Sequence, residues 1–454
     1  MSASRASIAV VILAAGKGTR MKSGLAKVLH PIAGRPMLAF ALEAAESLEP
    51  ERLVVVVGRD AERVCEAFSG RAIFVRQEEQ RGTGHAVAQA EAALEGASGD
   101  VLILYGDTPL IRPETLAELI AAKARTRADL ALLTAEVDVP GIVIRDETGS
   151  VARIVEATDA TPEQLAIRER NTGVYFLSAE LLWKKLAQIG DRNRQGEIYL
   201  TDLVDLCVRD GLRVEALPMQ DPEEASGVNT RVELAAAAAV IRRRKLEQLM
   251  LDGVSVVDPA STYVDVDVAI GCDSVIEPGC TIQGASRIGS RVHLKPGCVI
   301  ESSEIGDDSV IGPNAHLRPG SVLGRGVRIG NFVEIKNSVL GDGVKADHLS
   351  YIGDADVGPR ASFGCGAITV NYNWREKHRT SVGEGATIGC NANLIAPVAI
   401  GRNAAVAAGS TISREVPADA LAVERAEREI IEGWAARRRA RASSGRSHGD
   451  EGAS

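Results

Sequence analysis

A Rossmann-like α/β sheet domain followed by a left-handed parallel β-helix is the fold this sequence predicts, and three observations predict it. Over residues 1–230 short aliphatic runs alternate with helical stretches, the pattern of a sheet covered by helices. Residues 231–252 then form one run with five consecutive alanines and neither Gly nor Pro. From about Val254 to Ile412 an aliphatic residue returns at every sixth position. A strand repeats every two residues and a helix every 3.6, so neither alone makes that rhythm; a hexapeptide coil does.

Within the first region the apolar runs place strands at Ile8–Leu13, Leu53–Val57, Ala72–Val75, Val101–Tyr105 and Leu130–Glu136. Helices are expected over Met37–Ala45, Asp60–Phe68, His85–Leu94 and Pro113–Ala124. The alanine-rich run has strong helix propensity and an apolar stripe at Val232, Ile241, Leu246 and Leu249. It reads as a helical arm, 231–252, leading to the repeats.

The repeat runs Ile270, Ile276, Ile282, Ile288, Leu294 and Ile300 in steps of six. After one step of five it continues as Ile305, Ile311, Leu317, Leu323, Ile329 and Ile335, and it resumes as Val382, Ile388, Leu394, Ile400, Val406 and Ile412. Each unit is one short strand plus a corner, and three units close a triangular coil of eighteen residues. The aliphatic side chain points inward, and a coil buries it only by stacking on its neighbours. Small residues two places earlier (Cys280, Cys298, Ala315, Ser321) suit a tight interior. The beat stumbles over 340–381 and ends beyond Pro417. The expected organisation is a sheet domain over 1–230, the arm over 231–252, a coil domain over 253–434 and a disordered tail over 435–454.

Composition narrows the classes. The length of 454 residues allows two or three domains. With 52 basic against 61 acidic residues the net charge is −9, which gives no general attraction to nucleic acid or anionic membrane. Only the tail is basic, with five arginines between Arg437 and Arg446. No apolar run approaches the roughly 18 residues that span a bilayer. The apolar stretch after Arg5, Ile8–Ala15, is short and runs into Gly16-Lys17-Gly18, so it reads as a strand and not a secretion signal. Seven cysteines without a CxxC pair point to reduced thiols and a cytoplasmic protein. Cys280 and Cys298 lie one coil apart and are expected to stack as core residues.

Two constellations carry chemistry. LAAGKGTRM at 13–21 sits where the first strand should meet a helix. Gly16 and Gly18 let the backbone bend around an anion, while Lys17 and Arg20 add charge. The spacing fits neither a P-loop nor a dinucleotide fingerprint, because Met21 stands where a third glycine would fall. Lys27, Gln77, Gln80, the GTG at 82–84 and Tyr105-Gly106-Asp107 at a strand end are its candidate company, since open α/β sheets bind ligands at strand ends. The second constellation lies where the beat stumbles. HLSYIGDA at 348–355 and NYNWREKHRT at 371–380 interrupt a scaffold that otherwise asks only for aliphatics and turns. His348 suits a general base near neutrality. Tyr351, Lys336, Arg318, Tyr372 and Lys377 fall in neighbouring coils.

LAAGKGTRM, the downstream Lys27, GTGHA, YGDTPL, NTGVY, QGEIYLTD and GVNTR, followed by a hexapeptide prism, closely resemble the bacterial bifunctional GlmU family from about residue 8 to residue 434. Members are N-acetylglucosamine-1-phosphate uridyltransferases and glucosamine-1-phosphate acetyltransferases, which supply cell-wall precursors. The resemblance implies a nucleotidyltransferase domain in which Leu13, Ala14, Ala15, Gly16, Lys17 and Gly18 underlie UTP, with Arg20 and Lys27 on its phosphates. It implies Gln77, Gly82 and Thr83 around the uracil, Gly106, Glu156 and Asn171 at the N-acetylglucosamine with a backbone contact from Gly141 to its acetamido group, and Tyr105 among the residues that bind UTP or UDP-N-acetylglucosamine. Asp107 and Asn229 would bind Mg²⁺. On residue type alone Asp107 could be a helix cap and Asn229 a turn residue.

On the prism the resemblance makes His348 the base that deprotonates the sugar amine. Arg318, Lys336 and Lys377 would hold the sugar phosphate, with Tyr351, Ser362 and Asn371 completing the pocket. Asn371, Tyr372, Cys390, Ala408 and Arg425 would meet acetyl-CoA, the acetyl donor. A homotrimer is implied, with the acetyl-CoA site shared between subunits. Three places depart from the family. Ser362 replaces the usual Asn, Cys390 replaces the usual Ser, and 138–145 lacks the Tyr-Gly-Arg of a loop that closes over the sugar. Two rivals compete with the two-site reading: a single-activity sugar-1-phosphate nucleotidyltransferase with a purely structural β-helix, and a non-enzymatic hexapeptide assembly. HLSYIGDA with NYNWREKHRT argues against the first, and intact LAAGKGTRM, Lys27 and Asp107 against the second.

Overall fold

The structure, a computed structural model, describes residues 7–97 and 99–444. The chain divides into two compact units: 1–252 with 263–268 and 282–284, and the remainder.

The first unit is built on a sheet whose strands lie in the order Val214–Pro218, Leu130–Ala135, Arg170–Ser178, Asp100–Tyr105, Ile8–Ala14, Arg52–Val57 and Ile73–Arg76. Neighbours are parallel except Arg170–Ser178, which runs antiparallel to both strands beside it. Alternation along each strand feeds two cores. Val10 and Ile12 face one, with Leu38, Leu42 and Leu116 of the covering helices. Val11 and Leu13 face the other, with Val87, Leu182 and Leu203. Helices Leu38–Glu46, Ala61–Ala67 and Pro113–Thr126 fall where the sequence places them, within two residues at each end. The helix expected over His85–Leu94 is instead a short helix, Thr83–Ala88, and a 3₁₀ turn, Ala92–Leu94.

Within 138–145, Gly141–Arg145 is a strand paired antiparallel with Val151–Glu156, and Ile142 also pairs with Arg170. Ile142 and Val143 are buried, and that burial holds the segment as a hairpin. The alanine-rich helix, Arg231–Leu251, starts with a capping box in which Thr230 and Glu233 satisfy each other's backbone amides. It is part of the first unit and not a separate arm: Ala237 and Ile241 pack with Ile32, Met37, Leu110 and Val228.

In the second unit the coil strands stack as parallel ladders. One ladder includes Glu334–Lys336, Tyr351–Gly353, Ile368–Val370 and Asn393–Ile395, and another includes Arg328–Asn331, Lys345–His348, Ser362–Phe363 and Thr387–Ile388. The inward residues are buried from Ile276 through Ile412, and Cys280, Cys298, Ala315 and Ser321 are buried beside them. Cys280 and Cys298 are free thiols on adjacent coils. The expected interruption over 340–381 is shorter than predicted. Leu340, Ala346, Ile352, Val357, Phe363 and Thr369 continue the inward row, and all are buried. Ala346 and Thr369 escape a search for large aliphatics, although Thr369 belongs inside because its hydroxyl bonds the backbone N–H and C=O of Gly353. Only 371–379 leaves the coil, as a loop pinned by a Tyr372–Lys377 bridge.

The predicted disorder from residue 435 is also corrected. Trp434–Ser444 is a helix, in keeping with its alanine and arginine content. The rest of the predicted tail, 445–454, lies outside the described residues. Among the described residues no helix is long and apolar enough to cross a membrane.

Candidate active sites

The strand Ile8–Ala14 ends in the glycine-rich turn, where Gly18 takes φ 61°. A Cβ there would lie 2.9 Å from Cβ of Lys27, so glycine is what lets the turn and Lys27 approach. A cavity of about 340 Å³ opens over the turn. Leu13, Ala14, Ala15, Gly16, Lys17, Lys27, Gln77, Gly82, Thr83, Tyr105 and Asp107 line it. Gln77 is 4% exposed, and its Nε2 donates to the Gly82 carbonyl at 3.2 Å, which fixes the amide at the cavity wall. Gly82 has φ 107°, and a Cβ there would lie 2.5 Å from the Ile198 carbonyl oxygen. Glu197 also lines the cavity and was not singled out from sequence, although it lies inside QGEIYLTD.

Gly106, Gly141, Glu156, Asn171 and Asn229 are not in the cavity wall, but three of them form a group of their own. Hairpin register sets Gly141 opposite Glu156. A Cβ on Gly141 would lie 3.1 Å from Cβ of Asn171, so glycine permits this contact too. Glu156 accepts a hydrogen bond from Thr201 Oγ1 at 3.1 Å, and burial pushes its carboxyl above the usual carboxylate range. Asn171 is 7% exposed and donates to Tyr175 Oη at 2.8 Å. Tyr105 links this group to the cavity: burial raises its pKa most, and the Asp107 and Glu156 charges add to that rise. Gly106 holds the strand end through its N–H to the Leu13 carbonyl at 2.9 Å. Arg20 is exposed, and its charge helps lower the pKa of Glu233.

Asp107 and Asn229 come together on one cation. The Lys27 ammonium pairs with Asp107 Oδ2 and donates to Asn229 Oδ1 at 3.0 Å. Neither acts as the cap or turn residue its type allows. Thr230 caps the helix, and the Asn229 amide oxygen faces Lys27. Two oxygens from separate elements thus converge on a positive charge, a donor set that suits a hard cation completed by water and phosphate. Among the described residues no cluster of three His, Cys, Asp or Glu side chains could hold a metal.

On the coils, strand register stacks Asn331 beside His348, and the Asn331 amide oxygen lies 2.8 Å from Nδ1 of His348. An amide oxygen only accepts, so in this contact Nδ1 is the donor and Nε2 points away from it. The next ladder carries Lys336 and Tyr351, with Arg318 and Asn371 directly after the ends of two of its strands. Arg318 donates to Glu334 at 2.9 Å and keeps a guanidinium pKa above its ordinary value. Lys336 lies close enough to Lys377 for its charge to lower the pKa of Lys377. Asn371 Nδ2 reaches Tyr351 Oη at 3.3 Å. Ser362 is half-buried on the ladder of His348, and Cys390 is exposed. Gly389 packs against Ala408 so closely that a Cβ would lie 2.5 Å from the Ala408 backbone nitrogen. Tyr372 and Arg425 are exposed, and among the described residues no hydrogen bond or ion pair joins Arg425 to the His348 group. Asn331 and Asp354, which bonds Lys336 and Asn371, escape the sequence reading. The signal was present: each lies 17 or 18 positions, one coil, from the residue it holds.

A glycine-rich anion turn on an α/β sheet, joined in one chain to a hexapeptide coil with a histidine and a cluster of cations, defines a two-domain transferase. The model of MobA-like NTP transferase domains matches residues 10–198. The model of the GMPPB C-terminal domain matches 247–362, and that of six bacterial transferase hexapeptide repeats matches 379–414. The bifunctional protein GlmU of Pelobacter propionicus is 47% identical over 449 residues, covering 94% of this chain and 98% of that protein. That of Geobacter sulfurreducens is 47% identical over 471 residues, with 95% and 99% covered. That of Listeria monocytogenes is 44% identical over 445 residues, with 94% and 97% covered. The chain belongs to the bifunctional GlmU family. It is a two-activity enzyme that makes UDP-N-acetylglucosamine by acetyl transfer to glucosamine 1-phosphate and uridyl transfer to the acetylated product.

Proposed function

We propose that uridyl transfer takes place on the first unit, around the Gly16–Gly18 turn, and acetyl transfer on the second, around His348. The observation that carries this assignment is the separation itself: each unit holds its own polar constellation, and no residue belongs to both.

At the sheet, the amides of the 13–18 turn face the triphosphate of UTP, and Lys17, Arg20 and Lys27 balance its charge. Gln77, Gly82 and Thr83 bound the uracil, while Gly141, Glu156 and Asn171 hold the sugar. A phosphate oxygen of N-acetylglucosamine 1-phosphate attacks the α-phosphorus of UTP in line, and pyrophosphate leaves. Asp107 and Asn229 would hold a Mg²⁺ ion, which supplies charge neutralisation when bound.

At the coils, Arg318, Lys336 and Lys377 hold the phosphate of glucosamine 1-phosphate, with Tyr351, Asn371 and Ser362 on the sugar. Nε2 of His348 takes a proton as the 2-amine attacks the thioester carbonyl of acetyl-CoA, and the coenzyme A thiol departs. Tyr372, Cys390, Ala408 and Arg425 meet the donor. The working form is a homotrimer. Phe332, Leu349 and Trp374 are 58%, 56% and 89% exposed, and all three have positive φ. Bulky residues in that conformation are costly, and a subunit contact is a reason to keep them. Free thiols throughout suit the cytoplasm.

The test is an assay of purified protein with glucosamine 1-phosphate, acetyl-CoA, UTP and Mg²⁺, following each product separately. Both N-acetylglucosamine 1-phosphate and pyrophosphate should form. Pyrophosphate release without acetylation would reduce the coil to a scaffold. Light scattering should give three times the chain mass; a stable monomer at micromolar concentration would overturn the shared acetyl-CoA site.

A further inference from the structure

The corner that follows strand Tyr351–Gly353 carries a carboxylate that no substrate role requires. Asp354 is 4% exposed and sits in the left-handed region, φ 49°. Its oxygens accept from Asn337 Nδ2 at 2.6 Å, from Lys336 Nζ at 3.3 Å and from Asn371 Nδ2. Those donors come from the coils before and after it, so one buried side chain ties three successive turns of the β-helix. Asn371 in turn reaches Tyr351 Oη. Its backbone joins the same knot: Asp354 N–H donates to the Lys336 carbonyl at 2.9 Å, and its carbonyl accepts from Thr380 N–H at 3.0 Å, at the end of the 371–379 loop that carries Lys377.

We propose that Asp354 is a positioning residue for acetyl transfer, setting Lys336 and Asn371 in the geometry that receives the sugar phosphate. This rests on the acetyl-transfer reading of the coil site. Lys336 is largely buried and lies close to a second ammonium, Lys377. Two cations that close, without an anion beside them, would separate or lose a proton. Asp354 is that anion in the free enzyme. It keeps Lys336 charged and pointed at its neighbour, so the pair is already assembled when a phosphate arrives. Its own carboxyl lies below the usual range despite burial, because Asn337, Asn371 and Lys336 all favour the ionised form.

Asp354→Asn keeps size and shape, and Asn also tolerates a left-handed corner. In the full-length protein the variant should raise KM for glucosamine 1-phosphate about tenfold or more, the scale of a lost charge-assisted bond, while kcat falls far less. The groups around the two lysines are Asp354, Tyr351 and Arg318. With Asp354 neutral, the alkaline limb of kcat/KM should move to lower pH. Uridyl transfer takes place on the other unit and should not change, while the mass by light scattering reports whether the coil still folds and assembles. In a Lys336→Met background the same substitution should add little, since the partner it positions is gone. An unchanged KM and an unmoved alkaline limb in Asp354→Asn, while Lys336→Met alone raises KM, would overturn the positioning role. An unchanged KM in Lys336→Met would instead overturn the acetyl-site reading beneath it. If Asp354→Asn fails to assemble, the unmutated protein decides. Lys336 should react more slowly than Lys377 with acetic anhydride, and glucosamine 1-phosphate should protect both; equal reactivity without substrate would sink the proposal.

Discussion

The two units build their sites by opposite routes. On the sheet, Lys27 meets Asp107 across 80 positions and Asn229 across 202, and only the order of strands and the placing of one helix brings them together. On the coils several polar pairs at the site are local in a different sense. Asn331 and His348 lie 17 positions apart, Lys336 and Asp354 lie 18, and Asp354 and Asn371 lie 17. A stacked coil turns one fixed sequence distance into one spatial contact. A sheet has no such constant.

The sharpest way to break this comparison is to remove one residue from each route. His348→Ala should lower acetyl transfer by about 10²–10⁴-fold, the usual contribution of a general base, and leave uridyl transfer near normal. Asp107→Ala should do the reverse, with a loss on the order of 10²-fold if it matches the removal of other charge-stabilising groups. Measuring both reactions on each variant is enough. A parallel fall of the two activities, with the fold intact, would mean that the units do not work separately.

The same contrast explains what could be read without coordinates. The six-residue beat is a signal of architecture and of address together, so the inward row was legible from Ile270 to Ile335. It was lost at Ala346 and Thr369, because the interior selects for size and hydrogen bonding as well as apolarity. Asn331 and Asp354 were addressable by coil length but carry no chemistry of their own, and a search for reactive types passes over them. On the sheet, LAAGKGTRM was legible because a glycine-rich turn is local. The hairpin Gly141–Glu156 was not, because Gly141 finds Glu156 and Asn171 only after three strands have paired.

A smaller effect tests the coil route by pH. The Lys336 ammonium beside Lys377 holds its pKa below that of an ordinary lysine. The sign follows: both charges are present at neutral pH, and Lys377 loses its proton earlier than a free lysine as pH rises. KM for glucosamine 1-phosphate should therefore climb at alkaline pH before an isolated lysine would titrate, while KM for UTP stays flat over the same step. Lys336→Met should move the remaining limb to higher pH by removing the nearby charge. A limb that stays in place would show that the two lysines do not lie close to each other in solution.

The smallest expected effect lies on the sheet, at the hairpin strand Gly141–Arg145. The sequence over 138–145 carries no Tyr-Gly-Arg. Glycine offers only its backbone to the sugar, so Gly141 would serve through that backbone, and it can do so only if Asn171 stays close. Gly141→Ala puts a methyl carbon 3.1 Å from Asn171 Cβ and 3.4 Å from its Nδ2, so Asn171 must give way by a few tenths of an ångström. Asn171 is held by Tyr175 and by the Gly173 amide, which leaves it little freedom to move. KM for N-acetylglucosamine 1-phosphate should rise about three- to tenfold, equivalent to roughly 1 kcal/mol, with KM for UTP and the acetyl reaction untouched. Inserting a Tyr-Gly-Arg loop there should lower that KM below its natural value. If Gly141→Ala binds the sugar phosphate as well as the natural chain, the sugar is not held at this hairpin, and Glu156 and Asn171 lose their assignment with it.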